Sequence, residues 1–78
     1  MKIEDYITIN PHVCHGQPCF KGTRIMVYLV LELLETGKTP EQILKSYPSL
    51  SIDSIKAALH LAAELIKTEE YSSLLPQT

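Results

Sequence analysis

Three groups of side chains in this chain are of types that could do chemistry. His12, Cys14, His15 and Cys19 fall within eight positions, and imidazole and thiolate are the usual ligands of zinc. Their spacing argues against a metal site, because Cys14 and Cys19 enclose four residues and His60 alone is available as a further ligand. A nucleophilic Cys14 or Cys19 activated by His15 would lack a third group to orient the base. Small side chains in a turn are the simpler reading, with no metal and no cofactor. Gly16, Gly22 and Gly37 fit neither GxGxxG nor GxxxxGKS, so no phosphate cradle is expected and no enzymatic activity either. The other two groups are basic. Lys21 and Arg24 flank Gly22-Thr23 and could touch a partner, or could simply sit in solvent and pair with Glu4 or Asp5. Lys56, His60 and Lys67 would share the outward face of a helix and could touch DNA, but Asp53 and Glu64 on that face repel phosphates. A solvated helix face is the plainer alternative.

These residues must be placed by one small domain. Seventy-eight residues, 45% apolar and 21% charged, suit a single folded unit with little stability to spare. The net charge of -2 and pI near 5.8 have the wrong sign for gripping polyphosphate by bulk attraction. The apolar stretch Ile25 to Leu31 is far shorter than the roughly 18 to 20 residues of a membrane span. The opening MKIEDYITIN lacks a basic patch followed by a long apolar run, so a cytoplasmic protein without membrane contact is expected. Two cysteines are too few for a disulfide scaffold and suit a reducing compartment.

The elements follow from local pattern. Tyr6-Ile7-Thr8-Ile9-Asn10 alternates as a half-buried strand with Ile7 and Ile9 on one face, closed by Asn10-Pro11. Cys19 to Ile25 reads as two extended pieces around a Lys21-Gly22 turn. Met26 to Thr36 is an unbroken helix stopped at Gly37. Thr39-Pro40-Glu41-Gln42 has a capping threonine, a proline at the first helical position and a capping-box glutamine, and its helix must end before Pro48. Ser51 caps a third helix, with Ile52, Ile55, Leu59, Ala62 and Ile66 as its main apolar stripe and Ala58, Leu61 and Leu65 beside it. The expected architecture is mainly α: a short N-terminal β-hairpin over about 6–25, then three helices over about 26–67, of which the second and third with the short turn between them fit a helix-turn-helix. These make one domain, 1–67, with a tail over 68–78. On a wheel of about 100° per residue the apolar side chains of helix one cover roughly 200°. That excess, with the second stripe on helix three, predicts a homodimer.

The stretch from Ile7 to about Ala63 resembles the domain-of-unknown-function 433 family (DUF433), small bacterial and cyanobacterial proteins. The shared pattern is G-x-P-x-x-x-G-T-R-I, then G-x-[ST]-x-E-x-[IL], then Y-P-x-L-[ST], carried here by Gly16, Pro18, Gly22, Thr23, Arg24, Ile25, Gly37, Tyr47 and Pro48. His15 departs from the pattern, since the family more often has a second glycine there. The resemblance implies a β-hairpin leading into a three-helix domain of the homeodomain-like, helix-turn-helix type. It also implies antitoxin-like proteins, each neutralising a PIN-type, nuclease-like toxin and binding operator DNA as a dimer, with no catalytic residues to carry over. The alternative is a protein-interaction module without nucleic-acid binding.

Overall fold

A computed structural model describes residues 1–68. A 3-10 turn at Ile3–Asp5 precedes strand β1 (Ile7–Thr8), and a second at Cys14–Gly16 precedes strand β2 (Cys19–Phe20). Three helices follow, α1 (Val27–Glu35), α2 (Pro40–Ser46) and α3 (Ile52–Thr68). The expected tail lies outside the described residues, apart from Thr68, the last residue of α3.

The strands pair antiparallel, with Ile7 opposite Phe20 and Thr8 opposite Cys19. The expected Lys21-Gly22 turn lies against them. The Phe20 carbonyl accepts the Thr23 N–H at 3.0 Å, and the Phe20 N–H donates to the Ile25 carbonyl at 2.9 Å. Gly22 has φ of 77° and Lys21 is not in the positive region, the pattern of a type II turn. Cys19 also bridges to Met26, so β2 has a neighbour on each side. The first strand is shorter than its alternation suggests. Ile7 is buried, but Ile9, expected on the same face, is exposed. Asn10 Oδ1 accepts the His12 N–H at 2.8 Å, starting a turn that ends the alternation before Ile9 reaches the core.

The helix ends match their local signals. After α1 the Gly37 N–H donates to the Leu34 carbonyl and the Lys38 N–H to the Leu33 carbonyl, and Gly37 has φ of 96°; together these form a Schellman motif. At α2 the Gln42 N–H donates to Thr39 Oγ1 at 3.2 Å and the Thr39 N–H to Gln42 Oε1 at 2.8 Å, completing the capping box. Tyr47 turns extended at φ -126°, the conformation a following proline favours. The start of α3 uses two hydroxyls reciprocally: Ser54 N–H donates to Ser51 Oγ, and Ser51 N–H donates to Ser54 Oγ. Ser54 is thereby buried with its hydrogen bonds made.

The core gathers Ile7, Phe20, Val27, Val30, Ile43, Leu50 and Ile55, closed by Ala57 and Ala58. The 200° apolar arc of α1 is largely absorbed within the chain. Val27 and Val30 are buried, and Leu31, Leu33 and Leu34 pack against the core. The inner stripe expected for α3 is corrected by a rotation of about 100°: Ile55 is buried, but Ile52, Leu59 and Ile66 are exposed. Ser54, Ala57, Ala58 and Leu61 face inward instead. Both stripes repeat at helical spacing, and the small side chains of Ala57 and Ala58 permit the closer backbone approach between packed helices.

A Cβ at Gly22 would meet nothing within 4 Å, so substitution there costs backbone conformation alone. Gly22→Val is expected to destabilise by about 1 kcal/mol or more and Gly22→Asn by clearly less. Urea denaturation reads both, and an unchanged midpoint for Gly22→Val would rule out the strained turn.

Candidate functional site

The residues of the G-x-P-x-x-x-G-T-R-I motif build the turn between β2 and α1. Gly16 and Gly22 each have φ of 77°. The Pro18 carbonyl accepts the Val27 N–H at 3.0 Å, seating the first turn of α1. Thr23 Oγ1 donates to the Phe20 carbonyl at 2.8 Å and accepts the Ile25 N–H at 3.0 Å. Ile25 packs on the core, as Tyr47 does farther along. Each of these has work inside the fold. Arg24 does not: its side chain is exposed and makes no ion pair with a described residue. Lys21 reaches back to the Glu4 carbonyl at 3.3 Å, so the expected pairing with the carboxylates of Glu4 or Asp5 becomes a backbone contact instead. Arg24 borders an open recess of about 460 Å³ with Thr8, Asn10, Val13, Gly22 and Thr23. No acidic residue lines it.

On α3, Lys56, His60 and Lys67 lie within about 40° of one another on a helical wheel, and all three are exposed. Glu64 sits between two of them. Its Oε1 is 3.3 Å from Lys67 Nζ and 3.9 Å from His60 Nε2, which leaves Lys56 as the cation of this strip without an acidic partner among the described residues. Asp53, on the same side, is 3.5 Å from the Tyr6 hydroxyl, and its charge raises the phenol pKa.

The His/Cys cluster is divided. Cys14 and Cys19 are buried, while His12 and His15 are exposed. Among the described residues no three His, Cys, Asp or Glu side chains are grouped so that they could hold a metal ion. Cys19 Sγ donates to the Thr23 carbonyl at 3.7 Å. Burial, with the neighbouring Cys14 thiol, pushes the Cys19 pKa up to about 11, away from the thiolate a nucleophile needs. His15 has φ of 54° and ψ of 34°, the left-handed conformation that glycine adopts most easily. This accounts physically for the glycine that the family pattern more often places there. Sequence reasoning did not single out Ser54 as half of a reciprocal cap, and its S-x-x-S spacing from Ser51 was the available signal.

Among the described residues no helix is long and apolar enough to cross a membrane. The arrangement defines a small, mainly helical domain in which α2, the 47–51 turn and α3 form a helix-turn-helix behind a β-hairpin. The sequence profile of the family described as "Protein of unknown function (DUF433)" matches residues 7–62, and the chain belongs to that family. It is 33% identical over 54 residues to the uncharacterized protein y4eO of Sinorhizobium fredii (strain NBRC 101917 / NGR234), a match covering 69% of this chain and 24% of that protein. The chain therefore spans about a quarter of the length of that curated relative. It also superposes on the crystal structure of a DUF433 member protein from Anabaena variabilis ATCC 29413 with a TM-score of 0.74 at 31% identity, covering 80% of this chain and 61% of the other.

Two expectations test this geometry. His15→Gly should stabilise the domain by about 0.5–1 kcal/mol, because it releases a left-handed non-glycine residue at some cost in unfolded-chain entropy; thermal denaturation measures it. Cys19 titrates near 9.0 when unperturbed and at about 11 in the fold, so between those values the unfolded chain binds fewer protons than the folded one. The thiol's contribution is complete below pH 9 and is lost as pH rises towards 11. Denaturation across that range should therefore show stability falling more steeply for the wild type than for Cys19→Ala.

Proposed function

We propose that this chain is a small, dimeric, cytoplasmic helix-turn-helix protein of antitoxin type, acting mainly by holding a partner protein, a PIN-type nuclease-like toxin. Arg24 carries this reading. It is the single arginine of the chain, it stands on a turn held rigid by Thr23, and no described residue gives its side chain a counter-ion. A guanidinium so placed suits bidentate recognition of a carboxylate on the partner. Lys21, tethered to the Glu4 carbonyl, lies on the same turn and would support the contact.

Operator DNA is the second reading, favoured by the helix-turn-helix and by the exposed Lys56, His60 and Lys67. The bracketing of Glu64 by His60 and Lys67 places it behind the first, because those two cations already face a carboxylate. With about one neutralised phosphate per protomer, a dimer would show a salt slope of magnitude near 2. A mobility shift whose salt slope is far steeper would reverse the order of the two readings.

The first reading is tested by establishing whether an adjacent gene encodes a PIN-type nuclease and, where one does, by calorimetry of the chain with that protein. Arg24→Ala is expected to weaken binding by about 2 kcal/mol, roughly 30-fold. Arg24→Lys should recover only part of that, because an ammonium cannot present the planar fork. Lys45→Ala, on the far side of α2, should bind as the wild type does. Equal affinity for Arg24→Ala and the wild type would remove Arg24 from the contact.

A further inference from the structure

The face of α3 turned away from the core is not wholly polar, for an apolar strip runs along it beside the charged residues. Ile52, Leu59 and Ile66 are 43%, 50% and 58% exposed, stand seven residues apart, and fall within about 40° on the helical wheel. This is the repeat of one seam position of a coiled coil. Ala63 lies along the same line, and Ala62 joins it to an apolar groove of about 180 Å³ between α1 and α3, where Tyr28 is 50% exposed. No described element covers this strip.

We infer that a second copy of this chain covers it, with α3 packed antiparallel on α3 across a two-fold axis through Leu59. The spacing is self-complementary about that residue. Leu59 meets Leu59 of the second copy, and Ile52 meets Ile66 at each end, as an isologous contact requires. Ile52 and Ile66 are about 21 Å apart along the helix. The charges are compatible with this pairing: Lys56 falls beside Ala63 of the second copy, while Asp53, His60 and Glu64 point 100° or more away from the seam. The area is sufficient as well. Half of each large side chain, on the order of 90 Å² for Ile52, Leu59, Ile66 and Tyr28, with the two alanines, gives about 450 Å² of apolar surface per copy. A standard interface buries about 800 Å² per partner, somewhat over half of it apolar. The inference rests on the dimer of the proposed function and assigns its interface. It has one consequence for that reading: the dimer occupies the helix that would otherwise enter a DNA groove.

The full chain at about 100 µM in light scattering should have twice its mass of 8.8 kDa. Leu59→Lys, which sets two like charges face to face at an exposed position, should raise the dimer dissociation constant by about 100-fold while the helical circular dichroism is unchanged. Register is read with cysteine under glutathione disulfide, with the wild type as control for its two buried thiols. Leu59→Cys alone should cross-link, Ile52→Cys alone should not, and the pair Ile52→Cys with Ile66→Cys should. A dimer that Leu59→Lys leaves intact keeps the dimer of the proposed function and overturns this interface. Cross-linking by Ile52→Cys alone indicates a parallel pairing and overturns the antiparallel one. A monomer overturns both the dimer and its interface, and means that something other than a second copy covers the strip.

Discussion

Phe20 is the residue through which the domain is joined. Its side chain is among the largest that the fold buries completely, and its backbone is engaged on both sides. The carbonyl accepts both the N–H and the hydroxyl of Thr23, the N–H reaches Ile25, and Ile7 lies opposite across the hairpin. One apolar anchor thus ties the N-terminal strand, the motif turn and the entry to α1 into a single unit. A chain this short buries a smaller share of its surface than a larger domain does, so losing that anchor would leave the hairpin without a core to rest on. The exposed position of Arg24 follows from the same arrangement, since Thr23 and Ile25 on either side of it are both bonded inward.

Features that depend on neighbours in sequence were legible in advance. The Gly37 stop, the Thr39-Pro40-Gln42 start, the end at Pro48 and the Lys21-Gly22 turn each follow from which backbone groups a given residue can satisfy or which φ it can adopt. Features that depend on distant contacts were not. Ile52, Leu59 and Ile66 are as periodic as the residues that α3 does bury, and the choice between the stripes depends on how closely Ala57 and Ala58 let the helices approach. Ile9 alternates correctly with Ile7 but lies past the point where Asn10 begins to turn the chain. In the candidate site, charge and spacing identified Arg24, Lys56, His60 and Lys67. Their standing relative to one another required the position of Glu64, which a helical wheel places on the correct side but cannot bring within 3.3 Å of Lys67.

The motif residues divide the domain by task. Glycine, proline, threonine and isoleucine shape one turn, and the arginine among them is exposed and has no acidic partner among the described residues. The helices divide similarly, with α1 and α2 spending their apolar residues mostly on the core while α3 carries two apolar faces. On α3 an oily outer strip runs beside the exposed Lys56, and a carboxylate stands between the other two cations of that face. The fold alone would not have separated these uses.

The contact between Tyr6 and Asp53 joins residues 47 apart in sequence, whereas the end of α1, the capping box of α2 and the start of α3 are all made within five residues. Closing a loop of that length costs about 3 kcal/mol of chain entropy beyond a constant, so the helical portion can organise locally while the N-terminal hairpin waits for a surface to dock on. Arg24 stands apart from this contrast, because the turn that carries it is closed by bonds between residues no more than five apart.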